Sequence, residues 1–276
     1  MNEQATAKVV LSGPFDNMRA PHIRLLQEAA KGGPVHVFLW DDATIESITG
    51  APPKFPEQER LYYVQAVRYV ESVTIVGDLI SADALPDSDT LTVAAWVVPE
   101  HDHTEAKQAY CQTCGIDYTV IPEQVLKANV NTDMGIAASG NKKVLVTGCY
   151  DWFHTGHIRF FEEVSELGDL YVVVGHDANI LALKGEGHPL FDQEERRYIV
   201  GSIHYVTQAL ISTGQGWLDA APEIERIKPD IYAVNEDGDK SVKQQYCQEH
   251  GIEYVVLKRL PKPGLTRRES THLRGF

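Results

Sequence analysis

His154 and His157 stand on either side of Thr155-Gly156, and two imidazoles so placed are suited to holding phosphate oxygens whose charge changes during a reaction. The glycine between them lets the backbone come close to an anion. Whether that chemistry is available depends on the elements around the tetrapeptide. Lys143 to Thr147 is apolar and β-branched, as a buried strand should be, and Ile158, Phe161, Val164, Ser165 and Gly168 mark a helix of period near 3.6 and its end. The histidines therefore bracket a helix N-terminus, where free amides and the helix dipole favour an anion before any side chain is considered. The plainer alternative makes one histidine a helix cap and the other a core residue. Zinc fits less well, because no third ligand lies at a usual spacing.

Size and composition allow a soluble, two-domain protein. The 276 residues are 43% hydrophobic and 23% charged, with no apolar run long enough to span a membrane and a polar start from Met1 to Lys8, so a cytoplasmic location is expected. Four scattered cysteines suit a reducing compartment. A net charge of −14 argues against a nucleic-acid partner, since phosphate backbones are held by clustered Lys and Arg. A free nucleotide needs only local positive charge. Lys258, Arg259, Lys262, Arg267, Arg268 and Arg274, set against Glu269 alone, supply it at the C-terminus.

The chain repeats itself. Lys8 to Asp42 aligns without a gap to Lys143 to Asp177, 55–70 matches 191–206, and 107–118 matches 243–254 with eight of twelve residues identical. Each repeat alternates strand and helix, which implies a parallel sheet with helices on both faces and a ligand beyond the carboxyl ends of the strands. In the second repeat the strands are expected at Val144–Thr147, Tyr171–Val174, Thr207–Ser212, Ile231–Val234 and Tyr254–Leu257, with a loop of about fifteen residues before the second helix. The division expected is 1–127, a linker 128–141, and 142–276.

Two copies separate scaffold from chemistry. His154, Thr155 and Gly156 become Arg19, Ala20 and Pro21, and proline removes an amide and stiffens the turn. Lys184 falls opposite Ile48 or Thr49, and Asn235 to Asp239 falls opposite Pro99 to His103. The first repeat reads as degenerate and the second as active. Asp151 is shared as Asp16 and suits side-chain to backbone bonds that orient a turn. Cys111 and Cys114, with Cys247 and His250 at the equivalent places, read as helix-end core residues rather than a metal site. Trp40, Trp96, Trp152 and Trp217 read as core or rim aromatics.

The segment Gly148-Cys149-Tyr150-Asp151-Trp152-Phe153-His154-Thr155-Gly156-His157 resembles the HxGH signature of the nucleotidyltransferase superfamily that includes cytidylyltransferases, meeting G-x-[FY]-D-x-x-H-x-G-H throughout. Glu269-Ser270-Thr271-His272-Leu273-Arg274 is similar to that superfamily's second signature, with Glu269 where an isoleucine is usual. The resemblance implies two tandem Rossmann-like domains and transfer of a nucleotidyl group: a substrate phosphate attacks the α-phosphorus of a nucleoside triphosphate, and pyrophosphate leaves. It implies that Gly148, Tyr150, Asp151 and Gly156 form the nucleotide-binding turn, and that His154 and His157 bond the α- and β-phosphates. Lys184 would hold the attacking phosphate, and Ser270, Thr271 and Arg274 the β- and γ-phosphates. Mg²⁺ is expected on the triphosphate. Asp237 and Asp239 are placed against base, ribose or substrate. Arg196 matches an arginine that contacts phosphate in the superfamily, although Arg60 holds the same place in the degenerate copy and a shared structural ion pair explains both.

The spelling of the first signature is closest to the cytidylyltransferase branch, and the tandem arrangement is similar to that of ethanolamine-phosphate cytidylyltransferases, whose better-preserved site lies in the first repeat. CTP is the expected donor, with a small phosphorylated or phosphonate metabolite as acceptor. An ATP-dependent adenylyltransferase, or a nucleotide-binding sensor or scaffold without turnover, are the alternatives. Single-repeat relatives work as dimers, so the two repeats are expected to form a pseudo-dimer within the chain, and a homo-oligomer is compatible with this.

Overall fold

The structure, a computed structural model, describes residues 7–79, 81–87, 91–127, 135–270 and 273. The chain divides into two compact units, Met1–Ala128 and Asn129–Phe276. The first contains β1 (Lys8–Gly13), α1 (Ala20–Ala30), β2 (Val35–Trp40), α2 (Asp42–Thr49), α3 (Glu57–Ala66), β3 (Val70–Val76), β4 (Val93–Pro99), α4 (Glu105–Cys114), β5 (Asp117–Ile121) and α5 (Glu123–Leu126). The second contains β6 (Lys143–Gly148), α6 (Thr155–Ser165), β7 (Asp169–Val174), α7 (Asp177–Lys184), α8 (Gln193–Gly201), β8 (Val206–Ile211), α9 (Ala221–Ile227), β9 (Ile231–Asn235), α10 (Ser241–His250) and β10 (Glu253–Leu257).

Each unit is built on a five-stranded parallel sheet, ordered β3-β2-β1-β4-β5 in the first and β8-β7-β6-β9-β10 in the second. The chain runs outward to one side from β6 and then returns to its other side, so the strand order reverses between β6 and β9. Ligands collect beyond the carboxyl ends of the strands at such a reversal. The central strands are apolar on both faces because both faces are covered. Leu145, Tyr171, Val173, Tyr232 and Val234 pack with Ile224 and Ile227 of α9 and Cys247 of α10. Helix α6 turns Ile158, Phe160, Phe161 and Val164 inward, the spacing that the sequence displays.

Three features differ from the sequence expectation. The loop after β7 begins with helix α7, whose buried side is held partly by a polar residue. The Asn179 side chain accepts from Gly216 N at 2.8 Å and donates to Gly216 O at 3.1 Å, so no apolar period announced the helix. Strand β8 has a weak apolar pattern because Gln208 is buried in it, donating to Gly135 O and accepting from Ala137 N, each at 2.8 Å. Part of the expected linker therefore packs on the second unit: Ile136 and Ala137 sit against its core. The two repeats also diverge. Helix α9 joins β8 to β9, whereas the described residues between β3 and β4 form no helix.

Cys111 and Cys247 are buried at the ends of α4 and α10, each followed by a left-handed glycine, Gly115 or Gly251, while Cys114 and His250 are exposed. Among the described residues no three His, Cys, Asp or Glu side chains come together as metal ligands. No helix among them is long and apolar enough to cross a membrane.

Candidate active site

The turn after β6 is set by three residues. Tyr150 takes a left-handed backbone, φ 54°, and lays its ring over Gly148, where a Cβ would meet the ring at 2.7 Å. Asp151 is buried and its Oδ1 accepts from Leu190 N at 2.6 Å and Phe191 N at 3.1 Å, so it anchors the loop before α8. Asp16 does the same to Lys54 N and Phe55 N in the first unit. Asp151 thus orients a neighbouring loop, where the sequence expectation had its own turn.

His154 is the N-cap of α6. Its Nδ1 accepts from Gly156 N at 3.0 Å, and His157 Nδ1 accepts from His154 N at 3.3 Å, with the two rings stacked at 4.0 Å. An imidazole that accepts through Nδ1 carries its proton on Nε2. His154 Nε2 is buried and has no protein partner. Burial, reinforced by the positive charges of Arg259 and Arg268, holds the His154 pKa down to about 3. Burial, with His154, Arg259 and Lys184 nearby, holds that of His157 well below the ordinary imidazole value. Both rings are neutral donors at physiological pH. In the first unit His22 Nδ1 accepts from Arg19 N at 3.1 Å, so the second histidine of the motif is a cap in both repeats.

A cleft open to solvent lies at the carboxyl ends of β6 and β9. Gly148, Tyr150, Asp151, Gly156, His157, Lys184, Asp237 and Ser270 line it. Lys184 is the exposed last residue of α7, and the matching helix α2 ends at Thr49, which settles its counterpart. The basic tail passes the start of α6, where Ser270 Oγ donates to Trp152 O at 3.1 Å.

Residues 145–260 match the family model described as cytidylyltransferase-like. An FAD synthase of Ferroglobus placidus is 34% identical over 120 residues, which are 42% of this chain and 75% of that protein. The chain belongs to the cytidylyltransferase-like family of nucleotidyltransferases. A bifunctional protein HldE of Campylobacter concisus is 33% identical over 117 residues, 42% of this chain and 24% of that protein. Among solved structures, a lipopolysaccharide core biosynthesis protein from Thermoplasma volcanium is 28% identical, covering 44% of this chain and 99% of that chain, with a TM-score of 0.38.

Two residues that the family resemblance placed on nucleotide are used elsewhere. Arg196 is buried: Nε donates to Phe191 O at 2.8 Å, the guanidinium donates to Cys149 O and Gly175 O, and it pairs with Asp177 at 2.6 Å. Arg60 repeats the pattern with Phe55 O, Pro14 O, Trp40 O and Asp42. With its donors so engaged, Arg196 is a structural clamp under the motif turn. Asp239 Oδ1 accepts from Gln244 Nε2 at 2.7 Å and Tyr254 Oη at 3.0 Å, outside the cleft wall. Thr271 and Arg274 lie outside the described residues.

Other wall residues carried no sequence signature. Arg259 bonds Asp237 at 2.6 Å and Arg268 O at 3.2 Å, and its position in the basic tail was the one available hint. Lys243, Asp219 and Trp217 come from parts of the chain that only the sheet order brings together. Trp217 is 56% exposed at the rim, with Lys240 Nζ 5.4 Å from its ring centre, whereas Trp40, Trp96 and Trp152 are buried.

The depressed histidines have a measurable consequence. Between pH 6.5 and about 3 the unfolded chain takes up a proton at His154 that the folded chain does not, so folding stability falls as pH falls through that window. For this one group the slope is about 1.4 kcal/mol per pH unit. Urea unfolding at pH 7.5 and 5.0 should show about 2 kcal/mol less acid destabilisation in His154→Asn than in the unaltered protein. Equal losses in both would contradict the neutral, buried imidazole.

Proposed function

We propose that the second unit transfers a nucleotidyl group from a nucleoside triphosphate to a small phosphorylated or phosphonate acceptor, releasing pyrophosphate. The observation that carries this reading is the contrast between two otherwise matching helix starts. Both use their second histidine as a backbone cap, but only the second repeat adds a neutral imidazole with an unpartnered Nε2. A buried donor without an acceptor is costly unless a ligand supplies one, and a phosphate oxygen at a helix N-terminus does so.

In this reading the donor is the Mg²⁺–triphosphate. Its α- and β-phosphates lie at the start of α6, where His154 and His157 donate as charge moves to the leaving pyrophosphate. Mg²⁺ would arrive on the triphosphate and neutralise part of its charge; of the cleft carboxylates, Asp237 is paired with Arg259, Asp219 accepts from Ser212 Oγ, and Asp151 accepts from Leu190 N and Phe191 N. Lys184 approaches from α7 to bring the acceptor's oxygen in line with the α-phosphorus. Gly148, Tyr150 and Gly156 keep the turn open, Asp151 holds the loop before α8 against it, and Ser270 with Arg259 closes the side toward the tail.

The spelling of residues 149–160 supports CTP as donor. A second reading, transfer of an adenylyl group, is favoured by the likeness to synthases of FAD, an adenine dinucleotide. Pyrophosphate release with each of the four triphosphates, against a panel of phosphorylated and phosphonate acceptors, separates the two. Release no greater than that of His154→Ala with every pair would overturn the enzyme reading and leave a binding protein.

A further inference from the structure

Helices α4 and α10 begin with the same buried lysine in two different electrostatic settings. Lys107 is neutralised: its Nζ donates to Asp102 O at 2.7 Å and pairs with Asp102 Oδ1 at 2.9 Å, above the Trp96 ring. Lys243, 136 positions later, lies 5.5 Å above the Tyr232 ring, and its Nζ donates to Thr147 Oγ1 at 3.2 Å. The residue matching Asp102 is Gly238. Among the described residues no carboxylate lies within ion-pair distance of Lys243, although the side chain is about nine-tenths buried and lines the cleft. A buried ammonium with no directly paired carboxylate is unfavourable in a resting protein. Burial lowers its pKa, and the carboxylates of Asp219 and Asp237, beyond pairing distance, offset this only in part.

The location narrows what could supply the missing charge. Lys243, Asp219, Gly216 and Trp217 form the wall on the α9 and α10 side of the sheet, while Gly156 and His157 belong to α6. Lys184 ends α7, so two lysines enter the cleft from different elements. We propose that Lys243 binds the phosphate-type oxyanion of the acceptor, and that replacement of the Asp102 counterpart by Gly238 freed it to do so. The proposal rests on the cleft being the site of nucleotidyl transfer, but its test does not need turnover.

The probe is inorganic phosphate, titrated by calorimetry into the full-length chain already saturated with pyrophosphate, so that the leaving-group site is filled. Gly238→Asp rebuilds the first repeat's ion pair. A Cβ at 238 meets only the Val234 Cβ, at 3.9 Å, so this variant should fold normally. Both Gly238→Asp and Lys243→Met should weaken phosphate binding about tenfold or more, with Lys243→Arg within about threefold of the unaltered protein. Pyrophosphate affinity should stay within about twofold in all three. Unchanged phosphate affinity in Gly238→Asp, or no phosphate binding by the unaltered protein, overturns the proposal. So does a parallel loss of pyrophosphate affinity, which would place Lys243 in the nucleotide subsite. Failure of every triphosphate to turn over would instead count against the enzyme reading, and the two failures are read from different measurements.

Discussion

His154→Ala is expected to lower turnover by about 10²–10³-fold, the usual loss when one preorganised donor to a developing charge is removed. The expectation follows from the bonds its ring makes. Because Nδ1 is engaged by Gly156 N, the proton sits on Nε2, and because the ring is neutral, it donates without needing an acidic pH. The substitution also deletes a helix cap, which costs about 1 kcal/mol. His22→Ala is the control for that part: it removes a capping-box bond from Arg19 N at the matching helix start of the first unit, so stability should drop while turnover per folded molecule is retained. Pyrophosphate-release rates and urea midpoints of both variants check this. Equal loss of turnover in the two would mean that the motif works only through helix capping.

Arg196→Ala is expected to give the largest loss of stability, about 3 kcal/mol or more, because removing the buried guanidinium leaves several backbone carbonyls without the donor they had, at about 1–3 kcal/mol for each that stays buried. Its guanidinium joins the motif turn at Cys149 O, the end of β7 at Gly175 O, the start of α7 at Asp177 and the loop before α8 at Phe191 O. Asp177 is 42% exposed and can rehydrate, whereas the Gly175 carbonyl bond is buried and cannot. Arg60→Ala breaks the same set in the first unit and should destabilise to a similar degree. Denaturant unfolding followed by circular dichroism measures both. A stable Arg196→Ala protein with weakened triphosphate binding would reverse the assignment and return this arginine to the nucleotide.

Comparison of the two repeats was the most productive source of information in the sequence, and it had a definite limit. It distinguished His154 from His157, because Arg19 stands at one equivalent position and His22 at the other. It raised the doubt over Arg196 without resolving it, since a clamp and a phosphate ligand leave the same residue at the same position. Helix α7 escaped because Asn179 does by hydrogen bonding what an apolar residue would have done visibly. Lys243 has no distinguishing mark in the sequence because Lys107 matches it; the informative difference is Gly238 against Asp102, and its meaning comes only from the ion pair that Asp102 makes with the matched lysine.

Local order along the chain determined the strand–turn–helix at the motif, the duplication, the alternating elements that make a parallel sheet, and the membership of the nucleotidyltransferases. These are properties of contiguous residues, where period and turn chemistry act over a few positions. Tertiary structure alone decided which donors are already engaged, which are left free, and which distant residues share the cleft wall. Hydrogen-bond satisfaction and charge pairing are settled between segments far apart in the chain, as Lys243 meeting Thr147 across 96 residues shows, and no local pattern records them.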